Sequence, residues 1–230
     1  MMEQKNSVSE PRLLNPVQIN SIEANNSLNE RIRINKAIKK KLTENQVSLT
    51  AIKKSLLVGN RIPKDYFITK GIGESDITVH AGSFHLALRD AGIEMCNIME
   101  YSSILPRIAT KVKKPARLYH GSVMESIIAV ANSKKGMRAT AGIIYGWLYN
   151  KINGKKYGGL VCEYNGDLEE EKAEEQLKVS LNELHINGYE KYDLRDITIN
   201  INSFIPKKEF GTALVALCFT NYIYPVLDAC

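Results

Sequence analysis

Between residues 65 and 219 the apolar positions alternate between runs that suit strands and spacings that suit helices. The run DYFITKG (65–71), rich in β-branched and aromatic residues, predicts a strand that Gly71 and Gly73 end. GSFHLALRDAGI (82–93) predicts a helix with Ser83 as its cap, Phe84, Leu86 and Leu88 as its apolar contacts, and Gly92 closing it. Strands are expected in NIMEYSSIL (97–105), MESIIAVAN (124–132), ATAGIIYGWLY (139–149) and GGLVCEY (158–164). The acidic segment DLEEEKAEEQLKVSLNELH (167–185) is the clearest helix, with Asp167 as cap and an apolar stripe of Leu168, Leu177, Leu181 and Leu184. RDITINI (195–201) and GTALVALCF (211–219) complete the strands. Several strands are apolar on both faces. That pattern predicts an α+β fold, a layered sandwich of β-sheets covered by α-helices of αββα type.

Residues 1–60 differ from the rest. The first 26 or so are polar and rich in Asn and Ser, which predicts a disordered or loosely held arm. Helices are expected in NSLNERIRINKAIKKKL and VSLTAIKKSLL. Of the formal net charge of +6, this extension holds 10 Lys/Arg against 5 Asp/Glu, leaving 21 against 20 in residues 61–230. The KAIKKK run suits nucleic acid or a membrane surface in principle. With no aromatic residue in the extension to stack on a base, a solvated helix face is the better reading and nucleic-acid binding is not expected. The domain expected to carry function is therefore 61–230.

Composition narrows the chemistry. A chain of 230 residues with 44% hydrophobic content can bury a substantial core. Cys96, Cys162, Cys218 and Cys230 show neither C-x-x-C nor Cys/His ligand spacing, so reduced thiols in a cytoplasm are expected, without a metal. No run has the length of a signal peptide or membrane span, so no membrane role is expected. GIGES lacks the Lys-Ser/Thr ending of a phosphate loop and reads as a turn. His80, His85, His120 and His185 form no pair at metal spacing, and no G-x-S-x-G elbow is present.

Ser102 and Ser103, before Pro106, read on pattern alone as a turn. The longer run SFHLALRDAGIEMCNIMEYSSILP, however, resembles the self-processing region of pyruvoyl-dependent arginine decarboxylases, including an asparagine, Asn97, six residues before the second serine, Ser103. GGLVCEYNG resembles that family's Gly-x-x-x-Glu-Tyr strand, which is followed there by an acidic helix. FGTALVALCF resembles its C-terminal strand of small residues. The likeness covers residues 61 to about 222.

The resemblance implies that the chain cuts itself between Ser102 and Ser103. A serine hydroxyl can attack the preceding carbonyl and turn amide into ester, a slow step unless the oxyanion is held. A donor at that oxygen is typically worth about 3–4 kcal/mol. The family gives this role to the residue matching Asn97. β-Elimination then leaves a chain ending at Ser102 and dehydroalanine at 103, which hydrolyses to a pyruvoyl group, the enzyme's own cofactor in place of pyridoxal phosphate or a metal. An amino acid joined to it as a Schiff base loses carbon dioxide. Glu163 matches the family's proton donor, a role that suits a carboxyl in an apolar run.

By the same resemblance the substrate is arginine, the product agmatine, and the context polyamine synthesis or acid resistance. The assembly is expected to be a trimer of cleaved protomers with sites between neighbours. Two departures bear on the substrate. His85 stands where the family has the aspartate that pairs with a guanidinium, and Glu94 replaces a glycine near the same pocket, so Glu94 is a candidate for the missing carboxylate. Ile104 is the remaining candidate for the pocket. The same chemistry on another amino acid, or an uncleaved regulatory relative, are the alternatives.

Overall fold

The doubly apolar runs become the two central strands of facing sheets. A computed structural model describes residues 58–227. In chain order it contains β1 (Ile62–Ser75), a π-helical turn (Val79–Phe84) leading into α1 (His85–Ala91), β2 (Asn97–Glu100), β3 (Ile104–Pro106) and β4 (Thr110–Lys111). There follow β5 (Val123–Lys134), β6 (Ala139–Asn150), β7 (Lys156–Gly166), α2 (Glu170–Ile186), β8 (Tyr192–Phe204) and β9 (Phe210–Ile223). The loosely held arm expected over residues 1 to about 26, the helices predicted between residues 26 and 57, and Cys230 lie outside the described residues.

One sheet has the order β2-β5-β9-β1-β4 and the other β3-β7-β6-β8. Side-chain alternation sorts each strand into two layers. Ile127, Ala129, Ile143, Tyr145, Val161, Val215 and Leu217 meet between the sheets. On the far side of the five-stranded sheet, Phe67, Leu214, Ala216 and Cys218 pack against Ala87, Leu88 and Ala91 of α1. Ile144, Leu148 and Leu160 pack against Leu177 and Leu181 of α2 on the far side of the other. Each fully buried leucine there contributes about 1.5–3 kcal/mol. The layers run helix, sheet, sheet, helix, as the apolar pattern predicts.

Local details depart from the reading of the sequence. Gly71 and Gly73 do not end β1, which runs on to Ser75. They are where α1 lies closest: a Cβ on Gly73 would come within 2.1 Å of the Ser83 carbonyl oxygen. Ser83 is no cap. It is fully buried within the π-helical turn, its hydroxyl 2.8 Å from that of Thr212. Leu86 is exposed, its place in the interface taken by Ala87. Gly92 does close α1, in the left-handed conformation at φ 67° that its missing Cβ permits. Helix α2 begins later than expected, with Glu169 rather than Asp167 at its N-cap and Leu168 outside it.

Candidate active site

The segment expected to form one strand, 97–105, is divided between the two sheets. β2 is the edge strand of the first sheet, running parallel to β5 with Glu100 opposite Ser126. Tyr101 extends that ladder by one hydrogen bond, its N–H donating to the Ser126 carbonyl at 2.9 Å. The chain then crosses to the edge of the second sheet, where Ile104 pairs with Leu160 of β7. Apolar side chains anchor both ends of the crossing. The Tyr101 ring packs on Phe219 at 5.8 Å, and Leu105 is fully buried. Ser102 and Ser103 are slung between these anchors, the first exposed and the second half-buried.

Backbone hydrogen bonds fix the link itself. The Ile104 N–H donates to the Ser102 carbonyl oxygen at 2.9 Å, closing a three-residue turn centred on Ser103. The Val161 N–H holds the Ser103 carbonyl at 2.9 Å. Ser103 keeps a negative φ, so the turn is of the inverse type, open to any residue. The carbonyl preceding Ser103 is thus already polarised by a main-chain donor, where the sequence pointed to a side-chain amide.

Sixty residues further along, β7 brings a carboxyl to the same place. Val161 and Glu163 alternate onto the inner face of the second sheet, opposite Ile143 on β6. The Ser103 hydroxyl donates to the Glu163 carboxylate, with its oxygen 3.4 Å from Oε1 and 3.3 Å from Oε2. Burial pushes the Glu163 carboxyl above its usual range. The Ser103 hydrogen bond pulls it part of the way back, and the nearby Glu100 carboxylate adds to the rise. Neighbouring Cys162 alternates to the helix side, where burial pushes its thiol up to about 11 and keeps it protonated.

The other predicted residues stand apart from this pair. Asn97 opens β2, and its amide donates to the Gly121 carbonyl at 3.0 Å rather than to that of Ser102. His85 is the exposed first residue of α1, and Glu94 lies half-buried in the turn after it, both on the helix-covered side of the first sheet. Ile104 is 49% exposed beside the serines. A cleft of about 620 Å³ lies next to α1, lined by Glu74, Leu86, Asp90 and Lys207 among others, and includes none of the predicted site residues. Among the described residues no group of three or more His, Cys, Asp or Glu side chains is placed to hold a metal ion, and no helix is long and apolar enough to cross a membrane.

Sequence reasoning missed the two main-chain donors, Ile104 and Val161, and the anchors Tyr101 and Leu105. No residue type encodes an N–H. The anchors were visible only as apolar positions flanking the serines.

The Ser103 hydroxyl, a polarised preceding carbonyl and a carboxyl within reach are what conversion of that serine to a pyruvoyl group requires, so the residues fit such a group. Comparison with known proteins points the same way. Residues 65–224 match the family model described as pyruvoyl-dependent arginine decarboxylase. The chain is 34% identical to the pyruvoyl-dependent arginine decarboxylase AaxB of Chlamydia pneumoniae and 32% identical to that of Chlamydia abortus, over 71% of this chain and 94% of each relative. It is 29% identical to pyruvoyl-dependent arginine decarboxylase 2 of Archaeoglobus fulgidus, over 69% of this chain and 97% of that protein.

Proposed function

The chain belongs to the pyruvoyl-dependent arginine decarboxylase family, and from that membership we propose that it cuts itself between Ser102 and Ser103 and then decarboxylates an amino acid, most simply L-arginine to agmatine. The observation that carries the proposal is the Ser103 hydroxyl 3.3 Å from Glu163, in the break between the sheets.

In the cutting step the Ser103 Oγ attacks the Ser102 carbonyl carbon. The oxyanion forms where the Ile104 N–H already donates. Glu163 is the acceptor nearest the hydroxyl proton. The Ser103 nitrogen leaves with a proton, and the backbone continues through an ester. Elimination across Cα and Cβ of residue 103 releases Ser102 with a carboxylate terminus, and water then replaces the residue's nitrogen with a ketone oxygen, releasing ammonia. Asn97 assists cleavage and later orients the substrate once its amide is freed from Gly121.

When present, the pyruvoyl group supplies an electron-withdrawing carbonyl system to the substrate. The chain's own residues do the rest. Glu163, whose carboxyl burial pushes above its usual range, delivers the proton to the substrate Cα after carbon dioxide departs. His85, Glu94 and Ile104 contribute to the substrate pocket. Since His85 and Glu94 lie across the first sheet from Ser103, they serve the site of a neighbouring copy, in keeping with a trimer. The exposed apolar Met99 and Ile104 near the serines, with Val123 opposite Asn97 at the other end of β2, supply a surface for that neighbour.

His85 favours a second reading, the same chemistry on another amino acid, because a neutral imidazole is a poor partner for a guanidinium. Initial rates on arginine, lysine, ornithine and histidine separate the two. The first test is intact-mass measurement of the denatured protein beside Ser103→Ala. Two fragments meeting at 102/103, the second with the mass of a pyruvoyl terminus, are expected for the wild type and one whole chain for the variant. A whole wild-type chain sinks the proposal.

A further inference from the structure

One buried carboxyl takes no part in the chemistry above. Glu125 of β5, its side chain 3% exposed, lies on the inner face of the first sheet in line with Ile127 and Ala129 of the core. It forms an ion pair with Arg61, the residue just before β1, whose side chain is 42% exposed. Its Oε2 is buried with no hydrogen-bond partner among the described residues. As a stabilising device this is poor, because a half-satisfied buried carboxylate is worse than an apolar side chain of the same size.

What the pair does is hold a guanidinium in place. The Tyr101 and Tyr224 side chains beside Arg61 raise its pKa, and its guanidinium lies over the Tyr222 ring at 5.4 Å. Tyr101 is the anchor directly before the scissile link, and its N–H is tied to Ser126, the neighbour of Glu125. The Tyr101 phenol thus lies beside Arg61, its ring packs on Phe219 and its N–H is held by β5.

Resting on the self-cleavage reading, we propose that Arg61 and Glu125 are positioning residues for that step: they hold Tyr101 so that the Ser102-Ser103 turn keeps its hydroxyl against the Ser102 carbonyl. Attack on one's own peptide bond demands close alignment, and a displacement of about 1 Å is enough to cost a hundredfold in rate. Glu125 sets the guanidinium from the core side, and the guanidinium sets the phenol.

The test follows cleavage of the full chain by intact mass after cell-free synthesis, for the wild type and for Arg61→Met, Arg61→Lys and Glu125→Gln, with thermal melting of each in the Ser103→Ala background. Arg61→Met leaves the Glu125 carboxylate unpaired in the core, so the melting comparison and the methylguanidinium rescue separate lost positioning from lost folding. Expected are half-times at least about tenfold longer for Arg61→Met and Glu125→Gln, and recovery to within about threefold of wild type for Arg61→Lys or for Arg61→Met given millimolar methylguanidinium. Wild-type half-times in Arg61→Met, or no recovery by lysine or methylguanidinium, would overturn the proposal. A wild-type chain that never cleaves would instead overturn the self-cleavage reading, and this inference with it.

Discussion

At the scale of single residues, Glu163 as the proposed proton donor would link chemistry to pH. Because burial raises its pKa, the acid form persists above the usual carboxylate range, and only that form can give a proton to a carbanion. Turnover per cleaved chain should therefore fall on the alkaline side as pH rises through the raised value, and Glu163→Gln should lower it by about 10²–10⁴-fold in initial-rate assays. Stability carries the same sign. The folded chain binds this proton more tightly than the unfolded one, so the stabilisation is complete below the ordinary carboxyl value near about 4.3 and is lost as pH rises through the raised one. Melting Glu163→Gln across that range should show a flatter pH dependence than wild type. None of this was legible from pattern. Asn97, Ser103 and Glu163 stood out only through a family likeness, since a serine pair before a proline is otherwise a turn. The donors on the Ser102 and Ser103 carbonyls are main-chain groups that only the fold could reveal.

At the scale of elements, the strands apolar on both faces were the most readable, because β6 and β9 are covered on one side by the opposite sheet and on the other by a helix. Gly71 and Gly73 misled for a physical reason. A glycine in a strand marks either a turn or a close approach of another backbone, and the sequence does not say which. Here it is the approach of α1, so Gly73→Ala must push the helix outward. A loss of about 1–3 kcal/mol in urea unfolding is expected, against little change for Gly188→Ser, whose Cβ would meet nothing within 4 Å. The division of residues 97–105 was hidden because Ile98, Tyr101, Ile104 and Leu105 continue an apolar rhythm straight through the crossing.

At the scale of the whole molecule, Ser103 lies where the chain crosses between edge strands of the two sheets. Along β2 and its neighbour, Met99 is 49% exposed and Val123, opposite Asn97, 58% exposed, a surface suited to another copy of the chain. Met99→Glu with Val123→Glu should lower the mass seen by light scattering from that of a trimer to that of one 25.8 kDa chain equivalent, and activity with it. The strand order has a consequence of its own. A cut at 102/103 puts β1 and β2 on one fragment and β5 and β9, which lie between them in the first sheet, on the other. The fragments would interleave like the teeth of two combs, so neither could leave without tearing the sheet apart. Folding before the cut is first order, one chain finding one shape. After the cut it becomes second order: a melted enzyme would recover at a rate set by its concentration, and heat unfolding that is reversible for Ser103→Ala would be lasting for the mature protein in dilute solution.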